Sequence, residues 1–83
     1  MIDQFLNYLR YERNHSAQTV QTYEEALNEF ESYIILKDSG LSLATADTDL
    51  IRDWMESLMD KGNTASTINK KLSALRSFYR FAL

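Results

Sequence analysis

The sequence contains no cysteine and no proline, and only two of its 83 residues are glycine. The absence of cysteine excludes a disulfide scaffold and any metal site built from thiolates. No apolar run approaches the ~18 residues that a helix needs to span a bilayer, and acidic Asp3 stands where a signal peptide would carry basic residues. We therefore expect a cytoplasmic protein that does not associate with a membrane.

Acidic residues are also missing from the last quarter of the chain. All twelve Asp and Glu residues lie in residues 1–61, together with five Lys and Arg residues, so this part has a net charge of −7. Residues 62–83 carry four Lys and Arg residues, a net charge of +4, which brings the whole chain to −3. Opposite charges separated along a chain can create a local basic surface that the average conceals. A polyanionic partner is therefore not excluded.

Apolar residues recur every three or four positions in four segments, and no segment shows the two-residue period of a strand. The helices are expected at about residues 2–13, 17–37, 48–61 and 65–82. A chain of this length forms one small domain with a single core. The pattern therefore predicts an all-α protein, a compact four-helix bundle.

Capping residues are placed at most of the expected helix ends. The expected N-caps are residues whose side-chain oxygen can accept a backbone N–H: Ser16, Asp47 or Thr48, and Thr64 or a neighbour. Gly40 is expected to end the second helix in the left-handed conformation, and Gly62, after Lys61, is expected to end the third.

The fourth helix has a polar face opposite its apolar stripe. This face consists of Asn69, Ser73, Arg76 and Arg80, flanked by Lys70 and Lys71. A solvated outer surface is the ordinary explanation of such a face, but surface helices normally mix both signs of charge, and this one has no carboxylate across five turns. An unpaired cationic face favours an external anion, and the small polar side chains between the cations allow close approach to phosphate.

The start of the second helix offers further uncharged donors. Ser16, Gln18, Thr19 and Thr22 lie near a helix N-terminus, where free backbone N–H groups favour phosphate. Helix capping explains Ser16 equally well. Together, the beginning of helix 2 and the polar face of helix 4 predict a surface for nucleic acid.

Two segments carry a resemblance to a known family. Residues 16–23, S-A-Q-T-V-Q-T-Y, and residues 66–79, S-T-I-N-K-K-L-S-A-L-R-S-F-Y, resemble the N-terminal core-binding domain of tyrosine recombinases of the Xer and phage-integrase type. Residues 5–13 and 50–58 are similar to its first and third helices. The resemblance implies a SAM-like bundle that clamps one side of a recombination site, with its second and fourth helices facing the duplex, while a separate catalytic domain grips the other side.

The resemblance also implies which residues contact DNA. Thr19 matches the threonine of the helix 2 motif, and Lys71 and Arg76 match basic positions of the helix 4 motif. Position 70, often arginine in the family, is Lys70, which lacks the bidentate fork that reads guanine. The full set of expected DNA-binding residues is Ser16, Gln18, Thr19, Thr22, Ser66, Asn69, Lys70, Lys71, Ser73, Arg76 and Arg80.

No catalytic residue is expected in this chain. In the family, a tyrosine attacks a DNA phosphodiester with the help of arginines, a lysine and histidines, and all of these belong to the catalytic domain. Tyr23 and Tyr79 fall on apolar stripes and are expected to pack against the core, as is Trp54. His15, the single histidine, is expected in a solvent-exposed turn without the partners of a metal site.

The chain ends without a helix stop signal. Phe78, Phe81 and Leu83 are followed by neither glycine, proline nor a polar tail. We therefore expect residues 1–83 to be a single N-terminal core-binding domain, truncated before the catalytic domain. Its expected partners are duplex DNA and other recombinase protomers, with no cofactor and no small-molecule substrate. The alternative is a helical protein–protein interaction module, because fold alone does not choose between these roles.

Overall fold

Four helices account for most of residues 2–82, the residues that the computed structural model describes. They are α1 (Ile2–Tyr11), α2 (Ala17–Lys37), α3 (Thr48–Asp60) and α4 (Ala65–Ala82). The prediction of an all-α four-helix bundle is confirmed. No helix in this part of the chain is long and apolar enough to cross a membrane. Leu83, at which the sequence predicts an abrupt end of the last helix, lies outside the described residues, as does Met1.

The N-caps form as the sequence predicts. The Ser16 hydroxyl accepts the N–H of Thr19 at 3.2 Å, and the Asp47 carboxylate accepts the N–H of Leu50 at 3.0 Å. The Thr64 hydroxyl does the same for Thr67 at 3.2 Å. Each such cap satisfies one otherwise unpaired N–H and stabilises its helix by about 1 kcal/mol.

The first helix ends at Tyr11, two residues earlier than predicted. The backbone turns at Asn14, whose φ of 54° is left-handed, a conformation that asparagine tolerates better than most residues. The N–H of His15 then donates to the carbonyl of Leu9 at 3.0 Å. This turn of the backbone places Ser16 at the N-cap position of α2.

The prediction for Gly40 is wrong. The second helix is capped by Asp38, which has an extended φ of −157° and whose N–H donates to the Ile34 carbonyl. Gly40 instead donates its N–H to the Asp38 carboxylate at 2.9 Å, so the aspartate side chain organises the turn. Gly62, with a φ of 89°, does provide the left-handed reversal after α3, and Lys61 forms the C-cap. The third helix therefore ends one residue earlier than predicted.

Aromatic side chains fill the core between the helices. Phe5 of α1 meets Phe78 of α4 edge to face at 5.5 Å, and Phe30 of α2 lies 5.1 Å from Trp54 of α3, which confirms Trp54 as a core residue. In α4, Phe78 is fully buried, whereas Ala82 at the end of the helix is exposed. The same buried cluster contains Val20 from the first turns of α2 and Leu75 of α4, so it packs these two helices in one core.

Candidate nucleic-acid interface

A groove of about 300 Å³ lies where the first turns of α2 meet the middle of α4. Five of the eleven predicted DNA-binding residues line it: Gln18, Thr19, Thr22, Lys70 and Ser73. We call it the α2–α4 groove. Tyr23 completes its lining and packs against the core, as predicted from its place on an apolar stripe. The fold thus brings together side chains that are about fifty residues apart in the sequence.

Hydrogen bonds orient the hydroxyl groups at the mouth of this groove. The Ser16 hydroxyl donates to Thr19 Oγ1 at 3.0 Å, so Thr19 accepts that bond and keeps its own hydrogen for an outside acceptor. Thr22 donates to the Gln18 carbonyl at 3.0 Å, which leaves its oxygen as an acceptor only. Thr19 is therefore the hydroxyl best placed to donate to a phosphate.

The two helices of the groove differ from the other two in their first turns. No acidic residue occurs in the first turn of α2 or α4, whereas α1 has Asp3 and α3 has Asp49 there. The positive end of a helix dipole attracts anions, and a carboxylate in the first turn would compete for it. The N-termini of α2 and α4 are thus left open to an external anion.

Lys71 does not belong to an unpaired cationic face. Its ammonium group lies 2.7 and 3.0 Å from the two carboxylate oxygens of Glu29 on α2, and its side chain is only 22% exposed. The expectation that the cations of α4 lack carboxylate partners is wrong at this position, because α2 supplies one from 42 residues away. Lys71, one of the strongest expected DNA contacts, thus forms an ion pair that joins α2 to α4.

The remaining cations of α4 are exposed and spread along its outer face. Lys70, Arg76 and Arg80 form no ion pair within residues 2–82. Lys70 lines the α2–α4 groove, whereas Arg76 lines a separate groove near the start of α3 and Arg80 lines a pocket near His15. The cationic face therefore retains three of its four predicted charges, and one of them is in the groove.

Ser66 and Asn69 occupy the first turns of the same outer face and are exposed. Ser73 is exposed one turn further along. This arrangement confirms the polar stripe that the helical spacing predicts, and it places small donors between the cations.

Tyr79 and His15 are both partly buried. Tyr79 packs against the core, as predicted, and its hydroxyl donates to the Leu43 carbonyl at 2.7 Å. Burial raises the pKa of the Tyr79 phenol above its ordinary value, so this group holds its proton. His15 is not the solvent-exposed residue that the sequence predicts, because its ring is half-buried 6.0 Å from that of Tyr23.

Sequence reasoning missed three residues near this surface. Glu29 carries no local signal, because its partner Lys71 is distant in sequence and the spacing along α2 does not reveal which helix it faces. Arg13 and His15 flank the turn before Ser16, and only the folded chain shows that they share a pocket with Arg80.

The family model for the phage integrase N-terminal SAM-like domain matches residues 2–83. Tyrosine recombinase XerC of Bacillus pumilus (strain SAFR-032) is 39% identical over 85 residues, which cover 100% of this chain and 27% of that protein. Tyrosine recombinase XerD of Rhizobium meliloti (strain 1021) is 36% identical, with coverages of 96% and 25%, and tyrosine recombinase XerC of Bacillus subtilis (strain 168) is 35% identical, with coverages of 95% and 26%.

The chain thus spans about a quarter of the length of these curated relatives. No solved structure gives a significant match. Because the family model extends over nearly the whole chain, and because the relatives align along at least 95% of it, the chain belongs to the phage integrase N-terminal SAM-like domain family.

Proposed function

We propose that this chain is the DNA-binding, core-binding domain of a site-specific tyrosine recombinase, and that it grips duplex DNA with the start of α2 and the outer face of α4. The observation that carries the proposal is the α2–α4 groove, in which Thr19 and Lys70 line the same depression from two helices. A hydroxyl donor, a cation and a helix N-terminus at one place favour a phosphate group.

The chemistry of the groove favours positioning of the DNA over reading of its sequence. Lys70 binds phosphate as a point charge and lacks the planar fork with which arginine recognises guanine. Thr19 and Ser73 contribute single hydroxyl contacts. The domain therefore fixes the register of the duplex mainly through its backbone, and its affinity depends strongly on salt.

The proposed division of labour leaves the cleavage of DNA to another part of the protein. We place the phosphodiester chemistry in a separate catalytic domain, by analogy with the tyrosine recombinases that this chain resembles. The chain by itself binds DNA without cutting it, acts in the cytoplasm, and works alongside other recombinase protomers on the same recombination site.

The test is a fluorescence anisotropy titration of a labelled 25-base-pair duplex with the wild type, Lys70→Gln and Lys37→Gln. Lys37 is a matched control because it ends α2, about 21–28 Å from the groove residues of that helix at a rise of 1.5 Å per residue. One lost phosphate contact weakens binding at 0.1 M salt about eightfold and lowers the salt slope by about 0.9.

We expect that loss for Lys70→Gln and unchanged binding for Lys37→Gln. Equal binding by all three proteins, or an affinity that does not change with salt, would contradict the proposal.

The second candidate function is a protein-interaction module, favoured by large apolar side chains that face solvent. Tyr11 is 76%, Leu36 88% and Met59 63% exposed. These residues belong to three different helices or helix ends. Scattered exposed apolar residues are ordinary on a protein surface. A wild type that does not bind duplex DNA but self-associates in analytical ultracentrifugation, with the association lost in Leu36→Ser, would favour this alternative.

A further inference from the structure

A second pocket of about 210 Å³ lies beside the α2–α4 groove, between the α1–α2 turn and the last turns of α4. Its polar lining comes from Tyr8, Arg13, His15, Tyr23, Ser77 and Arg80. We call it the Arg13–Arg80 pocket. Tyr23 lines both this pocket and the groove, so the two depressions are neighbours.

The charges of this pocket are of one sign. Two guanidinium groups and an imidazole line it, and no carboxylate does. In the part of the chain that the structure describes, the side chains of Arg13, His15 and Arg80 take part in no hydrogen bond or ion pair. Lys71 on the same helix is neutralised by Glu29, whereas these groups remain available to an outside anion.

Aromatic packing and one backbone hydrogen bond hold the walls of this pocket in place. The His15 ring lies against Tyr23, and the Tyr23 ring is nearly parallel to that of Phe5, with centroids 6.2 Å apart. The hydrogen bond from the His15 N–H to the Leu9 carbonyl fixes the turn that carries Arg13. A cationic pocket with rigid walls binds an anion without first ordering its own side-chain supports.

We propose that the Arg13–Arg80 pocket binds a backbone phosphate of the same duplex, and so extends the contact surface beyond the α2–α4 groove. The proposal rests on the proposed function, since it assumes that the groove holds DNA. Arg80 follows Ser73 by seven residues, about 10 Å along α4, on the same exposed face. Arginine pairs of this kind suit phosphate because each guanidinium can donate two parallel hydrogen bonds.

His15 adds a further donor to this pocket. The other titratable and charged groups that line it are Tyr8 of α1, Arg13 of the turn, Tyr23 of α2 and Arg80 of α4. A ring N–H of histidine can donate to a phosphate oxygen whether or not the ring is charged. We therefore expect His15 to contribute one contact beside the two guanidinium groups.

The experiment compares Arg13→Gln, His15→Phe, Lys70→Gln and the control Lys37→Gln by anisotropy titration of the same duplex, at 50 and 200 mM salt. Phenylalanine keeps a ring against Tyr23 and removes the ring N–H. Circular dichroism melting verifies that each variant is folded. One phosphate contact accounts for about a 3.5-fold change in affinity over this salt range. We expect Arg13→Gln to lose that factor, as Lys70→Gln does, and His15→Phe to weaken binding with a smaller change in the salt slope.

Normal affinity and an unchanged salt slope for Arg13→Gln would overturn the proposal, and with a weakened Lys70→Gln they would leave the proposed function intact. Salt-independent binding by the wild type would overturn both. Wild-type affinity in His15→Phe would show that the histidine makes no contact with the duplex.

Discussion

Removal of the Glu29 carboxylate is expected to strengthen DNA binding. A Glu29 carboxylate oxygen lies 2.7 Å from the Lys71 ammonium, so the charge of this cation is neutralised within the bundle. In Glu29→Gln the lysine becomes free to neutralise a phosphate, and a negative charge beside the groove is lost. One additional neutralised phosphate raises the salt slope by about 0.9, which corresponds to about eightfold tighter binding at 0.1 M salt.

The same substitution is expected to cost little stability. The ion pair is partly exposed, with side-chain exposures of 22% for Lys71 and 40% for Glu29. Pairs of this kind contribute about 1 kcal/mol or less. For a domain of this size, that corresponds to a fall in Tm of at most about 8 °C. Thermal melting without DNA measures this loss of stability separately from the change in binding.

The assay is an anisotropy titration of a labelled duplex at several salt concentrations, with Glu56→Gln as the matched control. Glu56 is exposed on α3, and its substitution makes the same change in net charge. We expect tighter binding and a steeper slope for Glu29→Gln alone. An equal gain in both variants would show a general charge effect, and no gain in either would refute the role assigned to Lys71.

Three further perturbations test the fold that positions the groove. Ser16→Ala removes the acceptor for the Thr19 N–H and is expected to cost about 1 kcal/mol, a Tm fall of about 4–8 °C in a thermal melt; an unchanged Tm would contradict the cap. Phe30→Ala opens the fully buried core and is expected to lower the free energy of unfolding by about 3–5 kcal/mol in urea, whereas a loss below about 1 kcal/mol would contradict its burial. Burial raises the pKa of the Tyr79 phenol above 10.0. The stability that the protonated phenol contributes is therefore present below pH 10 and is lost as the pH rises through the folded-state pKa. Tyr79→Phe is expected to cost about 1–3 kcal/mol at pH 7, because the Leu43 carbonyl loses its donor, and to remove that part of the alkaline destabilisation; an identical alkaline profile would be the contrary result.

The helices were predictable because their signals are local. Apolar spacing places each core face, and Ser16 caps its helix through a residue three positions away. The helix ends were predicted wrongly where two local signals that can end a helix compete. Gly40 is a plausible terminator, but Asp38 ends α2 first by bonding the Gly40 N–H, and Asn14 turns the chain before the polar end of α1 can extend to residue 13.

The surface was less predictable than the fold because charge pairing is a tertiary property. Helical spacing correctly places Lys70, Arg76 and Arg80 on an exposed face. It does not show that Glu29 forms an ion pair with Lys71 from another helix, or that Arg13 and Arg80 line the same pocket. A face that is free of carboxylates within its own helix can still be neutralised by a neighbour.

Segregation of charge, and not net charge, is what makes DNA binding physically reasonable for a chain of net charge −3. The acidic residues lie outside the last helix, and the exposed cations of α4 can act locally within a Debye length of about 10 Å at 0.1 M salt. Repulsion between the acidic part of the domain and DNA is therefore weaker than the net charge suggests, because much of it is screened.

The most direct measurement is an NMR titration of the ¹⁵N-labelled domain with a short duplex, which reports every backbone amide at once. Chemical-shift changes should cluster in residues 16–23 and along the exposed face of residues 66–80, with residues 34–37 unaffected. Changes centred on residues 34–37 or on the exposed side of α3 would show that the duplex docks elsewhere on the bundle, and the two-helix interface would then be wrong.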